Sequence, residues 1–182
     1  MDIERTASPA PVTLRSPGLL LRSWCAEDLG AVVEAYRDPV IRRWLCTRLE
    51  TDEDAEEWLE AQHTGWATGR RMSFAVLEDG RLAAQLVVKR SEPGSPSAEL
   101  GYWTAAHARG RGVAGRALET VSAWAFERFA ADGLERLEIL HTVGNDASCR
   151  VAEKGGFVFT ELLPSGPKWD TEGHRHVRQR SG

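Results

Sequence analysis

The chain has 182 residues, of which 42% are hydrophobic and 27% charged, and its formal net charge is −4. This length suits one domain that buries about 70% of the surface its unfolded chain exposes. The negative balance argues against broad, non-specific binding of nucleic acid, because such binding depends on neutralising phosphates. The longest apolar stretches are too short for a membrane-spanning helix, which needs about 20 residues.

The cysteines and the N-terminal residues bear on the cellular setting. Cys25, Cys46 and Cys149 are odd in number and show no Cys-x-x-Cys spacing, which argues against a disulfide scaffold and against a zinc site. A reducing, cytoplasmic location fits this usage. Residues 1–11 contain no apolar segment of the signal-peptide type and are predicted to form a flexible leader. Residues 12–182 are predicted to form a single domain.

The first half of the chain is predicted to contain a strand, three helices and a hairpin. Helical spacing of apolar residues follows the strand, and Asp38 and Pro39 separate the first two helices. Thr51 and Asp54 have the spacing of a capping box at the start of the third helix. The hairpin strands flank an Asp-Gly turn. The predicted elements are a strand at 19–24, helices at 26–36, 40–45 and 51–67, and strands at 72–78 and 81–89.

The second half alternates between strands and helices. A Pro/Gly/Ser loop at 91–97 precedes it, and a Gly-Gly pair ends its last predicted helix. The predicted elements are strands at 98–104, 136–143 and 157–163, helices at 112–131 and 147–154, and a weak final strand after residue 168. This order, with antiparallel strands before alternating helices and strands, predicts a mixed α/β layer fold.

A basic, glycine-rich turn between a strand and a helix is the most informative segment. It runs over residues 109–115 with the sequence Arg-Gly-Arg-Gly-Val-Ala-Gly. Free N–H groups and the dipole at a helix start attract anions, and glycines let a phosphate approach the backbone. The ligand should therefore carry a phosphate or pyrophosphate. A helix start with solvated arginines and no ligand is the plainer alternative.

Two nucleotide-binding patterns can be compared with this turn. Gly110, Gly112 and Gly115 match the G-x-G-x-x-G pattern of dinucleotide-binding domains. However, five residues separate Thr104 from Gly110, and hairpin strands rather than βαβ units precede the turn, so a dinucleotide-dependent oxidoreductase fits poorly. The sequence contains no Gly-Lys-Ser/Thr, which excludes a P-loop.

Four segments of the chain resemble the GNAT N-acetyltransferase superfamily, and in particular the branch that includes the ribosomal-protein alanine N-acetyltransferases. Arg109, Gly112 and Ala114 fill the Arg/Gln-x-x-Gly-x-Gly/Ala pattern of the pyrophosphate loop in that superfamily. The other matching segments are an early helix at 38–45, a Glu-Leu-Gly-Tyr-Trp strand at 99–103, and an Asn-x-x-Ser helix followed by a Gly-Phe strand at 145–157.

The resemblance implies an α/β, GNAT-like fold with a central, mixed, mostly antiparallel and splayed sheet flanked by helices. It implies that acetyl-CoA, or another short acyl-CoA, is the co-substrate and lies between the strand ending at Trp103 and the strand beginning at Arg136. The residues that the resemblance assigns to the cofactor are Trp103, Thr104, Arg109, Gly110, Arg111, Gly112, Val113, Ala114, Gly115 and Asn145.

Glu99 and Ser148 are the candidate catalytic residues. Acyl transfer to an amine needs a base that removes a proton from the ammonium form, and Glu99 shares a strand face with Gly101 and Trp103. A solvated or ion-paired strand glutamate is the alternative. Ser148 follows Asn145 by three residues, a spacing that also fits a helix cap. The resemblance implies that Asn145 binds the cofactor arm, and that Ser148 or water protonates the departing thiolate.

The other nucleophilic and metal-binding side chains suggest no second chemistry. Cys149 is expected to be an inert, small apolar residue, and His141 a structural histidine within a strand. His174 and His176 have a spacing that suits a metal, but they are expected to lack further ligands. No metal is therefore expected.

The sequence predicts an N-acyltransferase that moves the acyl group directly from CoA to a primary amine. The acyl group is expected to be acetyl, which would make the protein an N-acetyltransferase. The acceptor is expected to be a small amine or a protein N-terminus, bound in part by Trp44 and Trp169. A non-catalytic acyl-CoA sensor with the same fold is the alternative. Nucleic-acid and membrane partners are not expected, and a homodimer is left open.

Overall fold

An eight-stranded sheet organises the computed structural model, which describes residues 10–166 and 171–180. Its strand order is β1-β2-β3-β4-β5-β6-β8-β7. Neighbouring strands are antiparallel except β5 and β6, which are parallel. The strands are β1 (Leu14–Ser16), β2 (Leu19–Arg22), β3 (Arg71–Glu78), β4 (Arg81–Lys89), β5 (Ser97–Thr104), β6 (Arg136–Thr142), β7 (Val158–Leu163) and β8 (Gly173–Gln179).

Helices flank this sheet, which confirms the predicted mixed α/β architecture. Each predicted helix is present, with ends that differ by a few residues, and a 3₁₀ turn precedes both α1 and the glycine-rich turn. The short strand β1 was not predicted, because three residues are too few to show a periodicity. The helices are α1 (Leu29–Arg37), α2 (Pro39–Trp44), α3 (Asp52–Thr68), α4 (Val113–Arg128) and α5 (Asp146–Lys154).

The capping box at the start of α3 is confirmed. Thr51 Oγ1 accepts a hydrogen bond from the Asp54 N–H at 3.1 Å, and Asp54 Oδ2 accepts one from the Thr51 N–H at 2.9 Å. Two N–H groups that have no partner within the helix are thereby satisfied. The helix ends at Gly69, whose φ of 66° is in the left-handed region that glycine adopts without strain.

Strands β5 and β6 pair over only part of their length. Their Cα partners run from Ser97 and Arg136 to Leu100 and Ile139. Beyond that point β5 continues to pair with β4, and β6 continues to pair with β8. The two central strands therefore separate, as predicted for a splayed sheet, and the gap opens towards the N-terminus of α4.

The sheet has a core on each face. Consecutive residues of β3, Phe74 and Ala75, belong to different buried clusters, as expected for side chains that point to opposite faces. One cluster includes residues of α4, and the other includes residues of α1, α2 and the first half of α3.

A buried polar network holds Trp103 within the second of these clusters. The Gln85 Oε1 atom accepts hydrogen bonds from Trp103 Nε1 at 2.5 Å and from the Tyr36 hydroxyl at 3.2 Å. Gln85 Nε2 donates to Ser73 Oγ at 2.8 Å, and Trp24 Nε1 donates to the same oxygen at 3.0 Å. These bonds satisfy polar atoms in a dry environment and fix the rings around the end of β5.

Two sequence predictions fall on residues outside the described ranges. Most of the predicted leader, residues 1–9, lies there, and so does Trp169, one of the two predicted acceptor-binding residues. Within the described ranges, none of the helices has both the length and the apolar character that crossing a membrane requires.

The packing of α3 against β3 gives a stability prediction. A Cβ added at Gly65 would lie 2.4 Å from the Arg71 carbonyl oxygen and 2.9 Å from the Arg71 Cβ. We expect Gly65→Ala to destabilise the fold by about 1–3 kcal/mol through overpacking, although alanine favours helix. Thermal and urea unfolding measure this effect.

Gly30→Ala in α1 is the matched control, because a Cβ there would meet nothing within 4 Å. This control should leave the free energy of unfolding unchanged or raise it by up to about 1 kcal/mol. Equal stability of the two variants would show that the backbone approach at Gly65 is not as close as described.

Candidate functional site

A cavity of about 520 Å³ lies where β5 and β6 separate. It is bounded by α2, the end of β5, the glycine-rich turn and α5. The structure brings every predicted cofactor-binding residue except Arg111 to this one cavity, together with Ser148 and Trp44. The lining residues are Val40, Ile41, Trp44, Leu45, Tyr102, Trp103, Thr104, Ala108, Arg109, Gly110, Gly112, Val113, Ala114, Gly115, Asn145, Ala147, Ser148, Arg150, Val151 and Lys154.

The N-terminus of α4 opens into this cavity without a side-chain cap. Gly112 is the N-cap residue with a φ of 74°, and it contributes no capping side chain. The first-turn N–H groups that follow it have no partner within the helix and can bind an anion. Cβ atoms added at Gly110, Gly112 or Gly115 would meet nothing within 4 Å. The glycines therefore leave room for a phosphate against the backbone.

Arg109 fastens the glycine-rich turn to α2. Its guanidinium forms a two-point ion pair with Asp38, with Nη2–Oδ1 at 2.5 Å and Nη1–Oδ2 at 3.3 Å. Asp38 also caps α2, because its Oδ1 accepts the N–H groups of Val40 and Ile41. The Arg109 guanidinium is the main reason that the pKa of Asp38 lies below its usual value. The Arg109 charge is thus already paired within the protein.

Arg111 points away from the cavity, whereas two cations that the sequence analysis overlooked line it. Arg111 Nη2 lies 3.1 Å from Glu78 Oε2, and its side chain is 55% exposed. Arg150 and Lys154 lie one turn apart on α5, and both line the cavity. Neither forms an ion pair with a residue of the described ranges. Their i, i+4 spacing after the Asn-x-x-Ser motif is the signal that could have identified them.

The start of α5 is held by Asn145 and Tyr102. Asn145 Oδ1 accepts the Ser148 N–H at 3.3 Å, so Asn145 is the N-cap residue. The Tyr102 hydroxyl donates to the Ser148 carbonyl oxygen at 3.3 Å. Burial raises the pKa of Tyr102 to about 12, so this hydroxyl stays protonated. The sequence analysis missed Tyr102 because the residue comes from β5, 46 positions before Ser148.

A second, smaller cavity of about 220 Å³ adjoins the first. Leu45, Tyr102 and Trp103 line both cavities and therefore form the boundary between them. The polar lining of the second cavity includes Arg71 and Lys89. Burial lowers the pKa of Arg71 slightly from its very high ordinary value, and the guanidinium remains charged.

Glu99 lies beside the second cavity rather than in the first. Its Oε1 is 2.8 Å from Lys89 Nζ, and its side chain is 22% exposed. Glu99 is among the lining residues of neither cavity, whereas Lys89 and Gly101 line the second. Lys89 and Glu99 are cross-strand partners of β4 and β5.

Trp44, at the end of α2, lines the first cavity next to the boundary with the second. The Arg43 guanidinium carbon lies 4.6 Å from the centroid of the Trp44 ring. Such a cation–π contact restrains the ring at the cavity wall. The prediction that Trp44 binds the acceptor remains a prediction.

The expectation that His174 and His176 lack further potential ligands is wrong. Side-chain atoms of His141, Cys149, His174 and His176 all lie within 4.8 Å of one another. The four residues come from β6, α5 and β8, so only the folded chain brings them together. Burial lowers the pKa of His141 and of His176, and it raises the pKa of the Cys149 thiol. None of the four lines the cavity of about 520 Å³.

Comparisons with known proteins agree with this geometry. Residues 18–158 match the family model described as the acetyltransferase (GNAT) domain. The ribosomal-protein-serine acetyltransferase of Escherichia coli is 26% identical over 149 residues, which cover 75% of this chain and 81% of that protein.

Solved structures of the same fold include two that contain coenzyme A. RimL, a ribosomal alpha-N-protein acetyltransferase in complex with coenzyme A, has a TM-score of 0.83 at 18% identity. The match covers 92% of this chain and 98% of the RimL chain. RimJ of Mycobacterium smegmatis, in complex with CoA-disulfide, has a TM-score of 0.75 at 21% identity. The match covers 93% of this chain and 86% of the RimJ chain.

The chain therefore belongs to the GNAT acetyltransferase family, as the sequence motifs indicated. It is an enzyme that transfers an acyl group from acyl-CoA to an amine, and acyl-CoA is its co-substrate.

The open start of α4 gives a binding prediction. Gly115→Glu would add a negative side chain that extends into the cavity, in a helix whose first turn contains no acidic residue. We expect CoA affinity to fall by at least about tenfold, or ~1.4 kcal/mol, because this charge repels the pyrophosphate. The free protein should be as stable as the wild type or slightly more stable, because an acid suits a helix N-terminus.

Calorimetric titration with CoA and thermal unfolding without it measure these two opposite effects. Ala123→Glu is the matched control, since Ala123 is an exposed residue in the middle of the same helix. This control should bind CoA like the wild type. Unchanged CoA affinity in a folded Gly115→Glu protein would contradict the placement of the pyrophosphate at this helix.

Proposed function

We propose that this N-acetyltransferase acetylates the N-terminal amine of a protein or peptide. The observation that carries this proposal is the second cavity, which adjoins the cofactor cavity at Leu45, Tyr102 and Trp103. Among the described residues, the charged groups that line this cavity or pair with a lining residue are Arg71, Lys89 and Glu99, so positive charge is in excess by one within this set.

This charge excess selects among the acceptors that the sequence left open. A polyamine or an amino sugar carries several positive charges and would be repelled by Arg71 and Lys89. A peptide presents one ammonium group, together with carbonyl oxygens or acidic side chains that can accept hydrogen bonds from these two residues. The name of the Escherichia coli relative, which describes acetylation of a ribosomal-protein serine, supports the same choice.

The cofactor cavity supports a definite orientation for acetyl-CoA. The pyrophosphate would bind the first-turn N–H groups of α4, where glycines leave space and the helix dipole favours negative charge. Arg150 and Lys154, on the opposite wall, would neutralise phosphate charge. The pantetheine arm would then follow the gap between β5 and β6 towards the boundary residues Tyr102 and Trp103.

The transfer itself is a direct displacement at the thioester carbonyl. The neutral amine attacks the carbonyl carbon, a C–N bond forms, the C–S bond breaks, and CoA leaves as the thiolate. The amine first loses one proton to a base, and the thiolate finally gains one. This scheme requires neither a metal in the transfer step nor a covalent acyl-enzyme.

Glu99 is proposed as the base that accepts the proton of the acceptor ammonium. It lies on the same face of β5 as Gly101 and Trp103, beside the second cavity. Its ion pair with Lys89 at 2.8 Å orients the carboxylate, and water in the cavity would carry the proton because Glu99 does not line the cavity directly. General-base catalysis typically contributes about 10²–10⁴-fold in rate.

Ser148 is proposed to assist departure of the thiolate. It lines the cofactor cavity, and Asn145 and Tyr102 hold the helix turn to which it belongs. A thiol has a pKa of about 8.5, so the thiolate is a tolerable leaving group near neutral pH. The contribution of Ser148 is therefore expected to be smaller than that of Glu99, with Asn145 serving as both helix cap and cofactor contact.

The cytoplasm is the proposed location, because Cys25, Cys46 and Cys149 are all free thiols.

A homodimer also remains a proposal. It would use β7, an edge strand of the sheet that exposes Val158 and Leu162.

The role of Glu99 is tested by Glu99→Gln, which keeps the shape of the side chain and removes its basicity. We expect kcat to fall by about 10²–10⁴-fold while CoA affinity is retained. Steady-state release of CoA thiol, with calorimetry for binding, measures both quantities. Lys89→Gln is the matched variant, because it breaks the same ion pair and leaves the carboxylate. If Glu99 matters only through the ion pair, the two variants will lose the same activity.

The acceptor class is tested by comparing kcat/KM for short peptides with free N-termini, a polyamine and an aminoglycoside. We expect the peptides to be favoured, and Arg71→Met to reduce this preference by removing a partly buried positive charge. Mass spectrometry should place the acetyl group on the terminal nitrogen. A higher kcat/KM for the polyamine than for any peptide would refute the proposed acceptor class without touching the acetyltransferase assignment.

A further inference from the structure

A cluster of metal-ligand side chains lies behind the cofactor cavity. His141 is in β6, His174 and His176 are on one face of β8, and Cys149 is in α5. His141 and His174 are direct cross-strand partners, and His176 is two residues further along the same strand. We use the name His₃Cys cluster for these four residues.

Four of the six distances between the ligand atoms of the His₃Cys cluster suit a tetrahedral ion, and all six are at most 4.8 Å. Bond lengths of about 2.3 Å to sulfur and about 2.05 Å to nitrogen, at tetrahedral angles, place S and N about 3.5 Å apart and two N atoms about 3.3 Å apart. Cys149 Sγ lies 3.4 Å from His141 Nε2, 3.3 Å from His174 Nδ1 and 3.7 Å from His176 Nε2. The two Nε2 atoms of His141 and His176 are 3.3 Å apart.

Hydrogen bonding directs one ligand lone pair inward. The Nδ1 atom of His141 lies 3.0 Å from the Thr142 carbonyl oxygen. A carbonyl only accepts, so Nδ1 carries the proton and Nε2 presents its lone pair to the other three side chains. Metal-bound histidines are commonly oriented by such a contact to a backbone carbonyl.

The His141–His176 contact is difficult to satisfy without a cation. If His176 Nε2 donates to His141, then the buried Nδ1 of His176 must accept a hydrogen bond, yet no described residue donates one to it, and the Phe157 backbone group beside the ring favours a ring N–H instead. If Nδ1 carries the proton instead, two lone pairs face each other at 3.3 Å. A metal ion between the two nitrogens removes this conflict.

We propose that His141, Cys149, His174 and His176 bind one Zn²⁺ ion in a closed structural site. Three imidazole nitrogens and one thiolate suit zinc, and four protein ligands leave no open position for a substrate. The Phe159 ring packs edge-on against His174 and His176, with centroids 5.1 and 5.7 Å away, and shields this side of the site.

The proposed ion would join three elements of the C-terminal half of the chain. It would fasten α5 to β6 and to β8, because α5 and β6 each supply one ligand and β8 supplies two. Cys149 is next to Ser148 in α5, so the ion would also hold the helix turn that faces the cofactor cavity. The zinc is not a participant in acyl transfer, because none of its ligands lines that cavity.

The first test measures metal binding by the full chain after treatment with a chelator. We expect the metal-free protein to take up one equivalent of Zn²⁺ in competition with a chromophoric chelator. Co²⁺ as a spectroscopic substitute should give the visible bands of a tetrahedral ion and a thiolate-to-cobalt charge-transfer band. Zinc at about 100 times its Kd should raise the Tm by about 5–10 °C.

Cys149→Ala and His174→Ala remove one ligand each from partly exposed positions. Each should weaken zinc binding by more than about 100-fold, because even loss of an outer-shell partner costs 10–100-fold. Cys46→Ser and His107→Ala are matched controls at exposed positions outside the cluster, and both should bind zinc like the wild type. Far-UV circular dichroism and a cooperative thermal transition show that each variant is folded.

Three results would overturn the proposal. The first is a wild-type protein that binds no equivalent of Zn²⁺ and shows no rise in Tm. The second is a cobalt spectrum without thiolate charge transfer, which would remove Cys149 from the ligand set even if no variant folds. The third is wild-type zinc affinity in folded Cys149→Ala and His174→Ala proteins.

Discussion

The larger cavity exists because β5 and β6 stop pairing after Leu100 and Ile139. Parallel neighbours that separate in mid-sheet leave a cleft whose walls are still rigid, because β4 continues to pair with β5 and β8 with β6. A cleft built in this way lies open to the N-terminus of the helix that follows β5. A long ligand with a phosphate at one end and a reactive group at the other suits this shape.

The rigidity of the walls comes from contacts that sequence motifs do not reveal. Arg109 belongs to the pyrophosphate-loop pattern, yet its guanidinium is paired with Asp38 and hydrogen-bonded to the Thr104 carbonyl. It thereby joins α2, β5 and the glycine-rich turn into one wall. The backbone N–H groups of α4, rather than this arginine, are then left as the principal anion donors. On the opposite wall, Arg150 and Lys154 have charges that no described residue neutralises.

Helix α5 links the chemistry of the cavity to the interior of the C-terminal half. One side of this nine-residue helix and its N-cap residue contribute Asn145, Ser148 and two cations to the larger cavity. Another side carries Cys149 into contact with three histidines. A short helix has little intrinsic stability in water, so its position must come from tertiary contacts. The Tyr102 hydroxyl bond to the Ser148 carbonyl is one such contact, the burial of Ala152 in the core is a second, and the His₃Cys cluster is a third.

The sequence by itself determined the order of the elements other than β1, the glycine-rich turn at the start of a helix, and the family. These features are local: glycines, caps and apolar periodicity act over a few residues, and Thr51, Asp54 and Gly112 lie where the local pattern indicated. The tertiary structure decided which charges are paired, because Arg109 meets Asp38 from 71 positions away and Glu99 meets Lys89 across two strands. It also decided that His141 and Cys149 join His174 and His176, since antiparallel pairing of β6 and β8 brings together residues that are far apart in the chain.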